Sequence, residues 1–202
     1  MTRPDINPNL QTRLIGESRS IVVNPYLTYR VDEVEFSPGH PGTYTYIDDD
    51  FAAAATIPLD RRRGQRNIFL VLQQRYPSQT IGWEIPAGGP KKGETQLQAA
   101  QRELREEAGL EASLWHQLPQ QIENVGRGNS RSDIFVAAGM LAVDTALDDT
   151  EVITDRGWFT MSQVEEMMLN REISAGHTMA GIAIANAFLN RNPDHPISLR
   201  VS

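Results

Sequence analysis

The chain has 202 residues, of which 40% are hydrophobic and 22% are charged, so its composition is that of a folded soluble protein with one ordinary domain and room for a small appendage. The 19 Lys and Arg residues against 26 Asp and Glu residues give a net charge of -7, which argues against general binding to nucleic acid or to an anionic membrane. There is no cysteine, which excludes disulfides, thiol nucleophiles and cysteine-ligated zinc. No apolar segment approaches the ~20 residues of a membrane span, and the start of the chain lacks the apolar core of a secretory signal, so we expect a cytoplasmic protein.

The first part of the chain is expected to form an arm followed by a small antiparallel β-structure. Residues 1–17 are polar and contain two prolines, which favours a loose arm. From 20 to 47, β-branched and aromatic residues become frequent on both sides of the turn sequence SPGHPG, which predicts a hairpin or small sheet. The apolar residues of TYRVDEVEF change parity, which indicates a bulge near Asp32–Glu33 or an error in the strand assignment.

Two apolar runs predict the centre of a larger sheet. FAAAATIPL (51–59) and NIFLVLQQRY (67–76) lie on either side of the turn sequence DRRRGQ and are typical of buried strands. Three arginines at 61–63 occupy the tip of this hairpin, where we prefer a solvated turn to a nucleic-acid patch. WEIPAGG (83–89) predicts a short strand that ends at Pro86 and the glycines. Further strands are predicted at WHQL, at IFVAAGMLAV and before Trp158–Phe159.

Capping boxes mark the starts of two helices. Thr95 with Gln98 begins a helix that Gly109 ends, and Thr160 with Gln163 begins a second helix. A third helix, at 178–191, is apolar enough to be buried. The predicted core face of the first helix has helical spacing and consists of Leu97, Ala100, Leu104 and Ala108. The four histidines (His40, His116, His177 and His195) show no metal-ligand spacing, so we expect surface or packing roles for them.

The first helix also carries Glu103, Glu106 and Glu107 beside Arg102. Carboxylates three or four residues apart on a helix repel one another. By themselves they are most simply explained as a solvated acidic face balanced by Arg102 and Arg105. The preceding glycines change that interpretation, because they allow backbone carbonyls to turn towards a ligand. Clustered carboxylates and a carbonyl form an all-oxygen site that suits Mg²⁺ or Mn²⁺ completed by substrate phosphates.

The segment from Gly88 to Leu110 resembles the Nudix box, G-x5-E-x7-R-E-U-x-E-E-x-G-U, in which U is aliphatic. The residues in register are Gly88, Glu94, Arg102, Glu103, Leu104, Glu106, Glu107, Gly109 and Leu110. This resemblance implies a Nudix hydrolase with an α/β fold, an α/β/α sandwich around a mixed β-sheet, joined to a small N-terminal antiparallel β subdomain. It also implies attack of water on the pyrophosphate that joins a nucleoside diphosphate to another moiety.

The resemblance implies roles for individual residues, with Mg²⁺ or Mn²⁺ as the cofactor. Glu103 and Glu107 would be the main metal ligands, and the carbonyl of Ala87 would join the metal shell. Glu106 would be a further ligand or would orient water. Glu94 and Arg102 would form a salt bridge that holds the loop against the helix, with Glu94 a further candidate metal ligand. The candidate catalytic residues are thus Arg102, Glu103, Glu106 and Glu107.

Beyond the box, residues from about 20 to 190 are similar to the ADP-ribose and ADP-sugar pyrophosphatases, through VVNPYLTYRVDEVEF, LQQRYP and WEIPAGG. The similarity implies a homodimer in which residues 1–48 are a dimerisation or domain-swap element and residues 49–202 are the Nudix hydrolase domain. It makes the substrate a small nucleotide, with neither nucleic acid nor membrane as a partner.

Four residues are candidates for substrate binding. Arg75 matches an arginine that approaches the phosphates or terminal ribose, although a surface arginine in a loop is equally compatible. Glu84 would contact the ribose or a metal, or would pair with a neighbour. Arg127 and Arg131 make the loop 123–133 cationic, which favours phosphate contact over the alternative of solvated arginines in an exposed loop.

The loop after the box departs from the pattern of that branch. Its members often carry a run resembling APGFSDE, whose glutamate orients or deprotonates the attacking water. Alignment to the strand IFVA places Val125 at the proline and Ser130 at the glutamate, and serine cannot act as a base at neutral pH. Candidates for the base are Glu106, Glu123, Asp133 and Glu151.

Three functions stay open from the sequence. The first is hydrolysis of ADP-ribose or another nucleoside diphosphate sugar, and the second is hydrolysis of another nucleotide such as a dinucleoside polyphosphate. The third is a sensor that binds ADP-ribose without turnover, which the complete set of glutamates disfavours.

Overall fold

The computed structural model describes residues 12–24, 27–48, 52–144 and 152–201. Two compact units make up the chain, one of residues 1–50 with 122–130 and the other of residues 51–121 with 131–202. Most of the predicted arm, the first residue of the 51–59 run and the candidate base Glu151 lie outside the described residues.

A three-stranded antiparallel sheet forms the first unit, with β1 (Arg13–Asn24), β2 (Leu27–Ser37) and β3 (His40–Asp48) in that order. The small antiparallel structure predicted from the sequence is confirmed, but residues 13–17 belong to β1 rather than to an arm. Pairing between β2 and β3 runs without interruption past Asp32–Glu33, whereas β1 places Leu14 opposite Val34 and Ser18 opposite Asp32. The predicted irregularity therefore lies in the partner strand β1, not in β2.

Residues 122–130 belong to the same unit because they are attached to the end of β3. The backbone N–H of Ile47 donates to the carbonyl of Arg127 at 2.8 Å, and Asn129 Nδ2 donates to Asp48 Oδ1 at 2.6 Å. Arg30 Nε donates to Asp48 Oδ2 at 2.7 Å, and this bond holds the pKa of the Asp48 carboxyl below its usual value. The division of the chain into domains at 48/49 stays a prediction.

The remaining strands are β4 (Ala53–Arg62), β5 (Gln65–Arg75), β6 (Thr80–Glu84), β7 (Ala87–Gly88), β8 (Leu110–Gln117), β9 (Gln121–Ile122), β10 (Arg131–Ala142) and β11 (Ile153–Thr160). The main sheet has the order β11-β5-β4-β10-β8, with β6 beside β5 and β7 beside β4. Strands β4 and β10 are parallel, whereas β4–β5, β5–β11 and β8–β10 are antiparallel. The sheet is therefore mixed, as the resemblance implies.

The helices are α1 (Gln96–Ala108), α2 (Met161–Leu169), α3 (Gly176–Arg191) and α4 (Pro196–Val201). Both predicted capping boxes are present: the Thr95 and Thr160 hydroxyls accept from the N–H groups of the residues three positions later. Gly109 adopts a left-handed conformation with φ 65° and ends α1. The six-residue α4 has no counterpart in the prediction. Within the described ranges, none of the helices has the length and hydropathy needed to cross a membrane.

Alternate residues of the central strands face two different helical layers. Ile57 and Leu70 belong to a cluster shared with Val164 of α2, Ile182 of α3 and Ile197 of α4. Their neighbours face α1: Ala54 packs with Ala99 and Ala100, and Phe69 and Val71 pack with Leu104. The sheet is thus buried on both sides between α1 and the other helices, which makes an α/β/α sandwich.

The prediction of the core face of α1 is wrong for one residue. Leu97 is 37% exposed, whereas Ala100, Leu104 and Ala108 are buried as predicted. Two of the glutamates are also buried, Glu103 with 3% and Glu107 with 1% exposure. Hydrophobic spacing alone misses them, because a carboxylate is expected in water unless something in the fold compensates its charge.

Candidate active site

Glu103 and Glu107 lie one helical turn apart on α1 and reach the strand β7. Glu107 Oε2 accepts the backbone N–H of Ala87 at 2.9 Å. Removing a carboxylate from water costs free energy that such hydrogen bonds offset. The two glutamates are therefore enclosed between α1 and β7 and do not form a solvated face.

Gly88 is required where β7 passes Glu103. A Cβ built on Gly88 would lie 2.0 Å from Glu103 Oε1, which no side chain could accept without movement of the strand or the glutamate. The neighbouring Gly89 has no such contact, since nothing lies within 4 Å of a Cβ built there. The first glycine of the box therefore allows close approach of backbone and carboxylate.

Arg102 joins the remaining acidic residues of the box. Its Nη1 donates to Glu103 Oε1 at 2.7 Å and to Glu106 Oε2 at 2.8 Å, and its Nε donates to Glu94 Oε1 at 3.0 Å. Burial acts against its charge, but the bonds to the three glutamates outweigh burial and raise the pKa of Arg102 above its ordinary value. A single guanidinium thus offsets the repulsion expected from the glutamate spacing.

Lys91 is a member of this cluster that the sequence reasoning missed. Its backbone N–H donates to Glu94 Oε2 at 2.7 Å, and its Nζ lies 3.5 Å from Glu106 Oε1. The bond from Arg102, followed by this N–H, holds the pKa of Glu94 below its usual value. The sequence signal that could have identified Lys91 is its position inside the box, between Gly88 and Glu94.

Arg75 and Glu84 form a two-point ion pair on β5 and β6. Arg75 Nε donates to Glu84 Oε1 at 3.2 Å and Nη2 donates to Oε2 at 2.8 Å. The Glu84 side chain is 6% exposed and that of Arg75 is 41% exposed. His177 Nε2 lies 3.5 Å from Glu84 Oε2, so this histidine, expected only on the surface or in packing, adjoins a candidate site residue.

The later candidates that belong to the same unit as the box, Arg131 and Asp133, hydrogen-bond to glutamines rather than to the box glutamates. Arg131 Nη1 donates to Gln120 Oε1 at 3.2 Å. Asp133 is buried, and its Oδ1 accepts from Gln117 Nε2 at 2.9 Å, so as placed it is an amide acceptor in the sheet. The structure assigns Arg127, Glu123 and Ser130 to the first unit, which does not contain the box.

Arg156 is a second residue that the sequence reasoning missed. From β11, its Nε donates to the backbone carbonyl of Glu107 at 2.5 Å. A cation at the C-terminal end of a helix is favourable because carbonyls in the last turn lack intrahelical partners. No local signal identifies Arg156, since the pairing of β11 with β5 brings it to α1.

The donor chemistry fits a hard divalent cation. Buried carboxylates beside a glycine-lined backbone form the all-oxygen set that Mg²⁺ and Mn²⁺ prefer. Among the described residues, no three His, Asp or Glu side chains already converge in a metal-holding arrangement. The guanidinium of Arg102, which lies between Glu103 and Glu106, supplies positive charge there together with the ammonium group of Lys91.

The NUDIX domain model matches residues 50–178, almost two thirds of the chain. The chain belongs to the Nudix family. It is therefore a pyrophosphohydrolase. This Nudix protein is 28% identical over 172 residues to the ADP-ribose pyrophosphatase of Mycobacterium tuberculosis (strain ATCC 25618 / H37Rv), covering 84% of this chain and 81% of that relative.

Two further relatives extend the comparison. The Nudix chain is 25% identical over 174 residues to the CMP-5'-(N-acetyl-N-hydroxy-3-aminopropyl)phosphonate hydrolase of Streptomyces rubellomurinus (strain ATCC 31215), covering 85% of this chain and 82% of that protein. The crystal structure of an ADP compounds hydrolase superimposes with a TM-score of 0.79 at 17% identity, over 92% of this chain and 98% of that one. At that identity the superposition establishes the shared fold.

Proposed function

We propose that this Nudix enzyme uses Mg²⁺ or Mn²⁺ to hydrolyse the pyrophosphate bond of ADP-ribose or another nucleoside diphosphate sugar. The observation that carries the proposal is the pair of buried carboxylates, Glu103 and Glu107, held against Gly88 and Ala87. The names of the two relatives described above support the substrate class, because both describe the cleavage of a nucleotide derivative.

The residues that would hold the cation are Glu103, Glu107 and the carbonyl of Ala87, with Glu106 and Glu94 close by. When bound, such an ion supplies a Lewis acid for phosphoryl oxygens and lowers the pKa of bound water. The protein contributes carboxylates whose positions are set before the substrate arrives, since they are buried and hydrogen-bonded. Arg102 contributes the link that holds the loop at Glu94 to the helix.

Glu106 is the group that we assign to orient the attacking water and accept its proton. Its side chain is 20% exposed, whereas Glu103 and Glu107 are almost fully enclosed. A base must reach both solvent and the reacting water, and a water activated by a metal needs only a weak base. This assignment makes the missing glutamate at Ser130 unnecessary.

Substrate phosphates would be bound by arginines. The Arg75 side chain stays 41% exposed while it is paired with Glu84, so a diphosphate oxygen can reach its planar fork. Glu84 then keeps Arg75 in one orientation, and its own contact with the ribose stays a prediction. Arg127 and Arg131 stay predicted phosphate contacts.

The deciding experiment is chromatographic detection of AMP released from ADP-ribose in the presence of Mg²⁺ or Mn²⁺. We expect the wild-type protein to release AMP. Glu107→Gln keeps the shape of the side chain but removes its charge, so its rate should be lower by about a hundredfold or more. Glu111→Gln is the matched control, because Glu111 is an exposed partner of Arg105 outside the cluster, and it should retain the rate.

Other outcomes would favour the alternatives. Binding of ADP-ribose without release of AMP would indicate the sensor. Selective release of nucleotides from a dinucleoside polyphosphate would move the substrate to that class, while equal activity of Glu107→Gln and the wild type would refute the role of the carboxylate pair.

The proposal includes a homodimer in which residues 1–48 are the dimerisation element. All twelve residues of the edge strand β1 are exposed, and they include Leu14, Ile15, Ile21, Val22 and Val23. Exposed apolar residues on an unpaired edge favour association with another chain. A second copy of the chain covers this edge strand, and the mass of the particle in solution tests the dimer. The cytoplasmic location and the exclusion of nucleic-acid and membrane partners stay predictions.

A further inference from the structure

A groove of about 710 Å³ lies at the tip of the β4–β5 hairpin. Its lining comprises Arg62, Arg63, Gln65 and Asn67 from the hairpin, Trp158 and Thr160 from the end of β11, and Gln163 from α2. Its volume lies within the range of small-molecule sites, roughly 300–1,000 Å³. None of these residues takes part in the glutamate cluster or in the proposed reaction.

The groove is separate from the Nudix box. Gly88 of β7 lies opposite Ala54 on β4. Arg62 follows Ala54 by eight positions (62 − 54) along the same strand, a distance of about 26 Å at a rise of ~3.3 Å per residue. A ligand in the groove therefore cannot touch the box carboxylates at the same time unless it spans most of the sheet.

The hairpin concentrates positive charge in a chain whose net charge is -7. Arginines occupy positions 61, 62, 63 and 66, and Arg62 pairs with Asp60 at 3.3 Å. Among the described residues, no carboxylate lies within salt-bridge distance of Arg63. The groove thus carries more positive charge than its own side chains neutralise.

Trp158 holds Arg62 in place over the groove. The guanidinium carbon of Arg62 lies 4.3 Å from the centre of the Trp158 ring, and Phe69 packs edge-on against the same tryptophan at 5.1 Å. When a guanidinium stacks on an aromatic ring, its N–H groups point outward, parallel to the ring, and stay available to donate to another group. The arrangement preorganises a fork of donors suited to phosphate oxygens.

Arg63 lies at a position of the turn that usually holds another type of residue. Its φ is 52° and that of Gly64 is 78°, so both central residues of this two-residue hairpin turn are left-handed. Such turns favour Asn, Asp or Gly at the first position, and a long side chain there is strained. The turn does not explain the arginine, whereas a ligand in the groove would.

We propose that this groove binds a small phosphate-bearing molecule, held by Arg62 and Arg63. The overall negative charge of the protein disfavours a long polyanion or an anionic membrane, whose many charges would meet the acidic remainder of the surface. A compact phosphate group meets only the arginines. This inference is independent of the proposed pyrophosphatase activity, because the groove shares no residue with that site.

The test is a titration of the full-length protein with inorganic pyrophosphate in EDTA, which removes divalent metal from the box. Binding is located by the indole N–H resonance of Trp158, assigned with Trp158→Phe, and measured by calorimetry. We expect a saturable shift at Trp158 with Trp83 and Trp115 unchanged. Arg62→Gln should weaken binding about tenfold, as expected for loss of a charge-assisted hydrogen bond.

Two further variants separate a specific site from general attraction. Arg63→Gly should also weaken binding but raise the melting temperature, since glycine accepts the left-handed turn without strain. Arg61→Gln removes the same charge from a position outside the groove lining and should leave binding unchanged. A shift that does not saturate, an equal loss with Arg61→Gln, or a response at Trp115 instead of Trp158 would overturn the proposal.

Discussion

Arg102 is the residue on which the charge balance of the box depends. It contacts Glu94, Glu103 and Glu106 and also donates from Nη2 to the carbonyl of Gly89 at 2.9 Å. Its charge permits carboxylates to be crowded on one helix before any ligand arrives. Loss of Arg102 would therefore leave buried acidic groups without compensation.

At the same scale, Gly88→Ala tests the close approach of β7 to Glu103. The new Cβ would lie 2.0 Å from Glu103 Oε1, so the carboxylate or the strand must move. We expect the rate of pyrophosphate hydrolysis to fall about a hundredfold, since a shift of ~1 Å can cost that much. The free energy of unfolding should fall by about 1–3 kcal/mol, the usual cost of overpacking.

Gly89→Ala is the matched control for this variant. Nothing lies within 4 Å of a Cβ at Gly89, and its carbonyl still accepts from Arg102. Steady-state kinetics and urea unfolding of both variants provide the measurement. Equal behaviour of the two alanines would show that the approach to Glu103 is not important.

At the scale of elements, β8, α3 and α4 meet in a group of three aromatic rings. His116 of β8 stacks on Phe188 of α3 at 4.3 Å, and His195, just before α4, lies 4.9 Å from His116. His195 Nδ1 accepts the backbone N–H of Ile197, in the first turn of α4, at 3.2 Å. Two histidines thus help to attach the C-terminal helix, a role in packing that agrees with the expectation from sequence.

This contact predicts a dependence of stability on pH. Burial, and then the neighbouring His195, lower the pKa of His116 in the folded protein. In the unfolded chain the histidine has its ordinary pKa of about 6.5, so the unfolded chain binds a proton more readily than the folded protein. The stability that is present above that pH is therefore lost as the pH falls below it. One proton contributes at most about 1.4 kcal/mol per pH unit.

Urea unfolding between pH 7.5 and 5.5 measures this effect. The wild-type free energy of unfolding should decrease across the interval, and His116→Gln should show a smaller decrease. His40→Gln, which changes an exposed histidine of the first unit, should behave like the wild type. An unchanged slope in His116→Gln would contradict the assignment.

Elements that depend on neighbours in sequence could be predicted, and those that depend on distant contacts could not. The caps of α1 and α2 and the β4–β5 hairpin follow from short-range patterns, so they were found. The box carboxylates were identified by spacing, but their burial depends on β7, which lies opposite β4. Arg156 and the short helix α4 carry no local signal, because only tertiary pairing gives them a role.

At the scale of the whole molecule, the exposed strand β1 bears on the number of chains in the particle. We expect sedimentation to give the mass of two chains of 22.6 kDa each at micromolar concentration. Val22→Glu should shift the particle towards one chain, since Val22 is 70% exposed on β1 and a charge is costly at an apolar interface.

Leu169→Glu is the control for this experiment, because Leu169 is 86% exposed on α2 in the other unit. It should leave the dimer intact. A single-chain mass for the wild type at every concentration would rule out the homodimer, and equal dissociation by both variants would remove β1 from the interface.

Arg156 of the edge strand β11 donates to the carbonyl of Glu107. Substitutions on β11 therefore affect the box, although this strand supplies none of its carboxylates. Random mutagenesis scored for turnover should therefore recover inactivating changes on β11 as well as on α1. An inventory of functional positions drawn from the Nudix motif alone would overlook them.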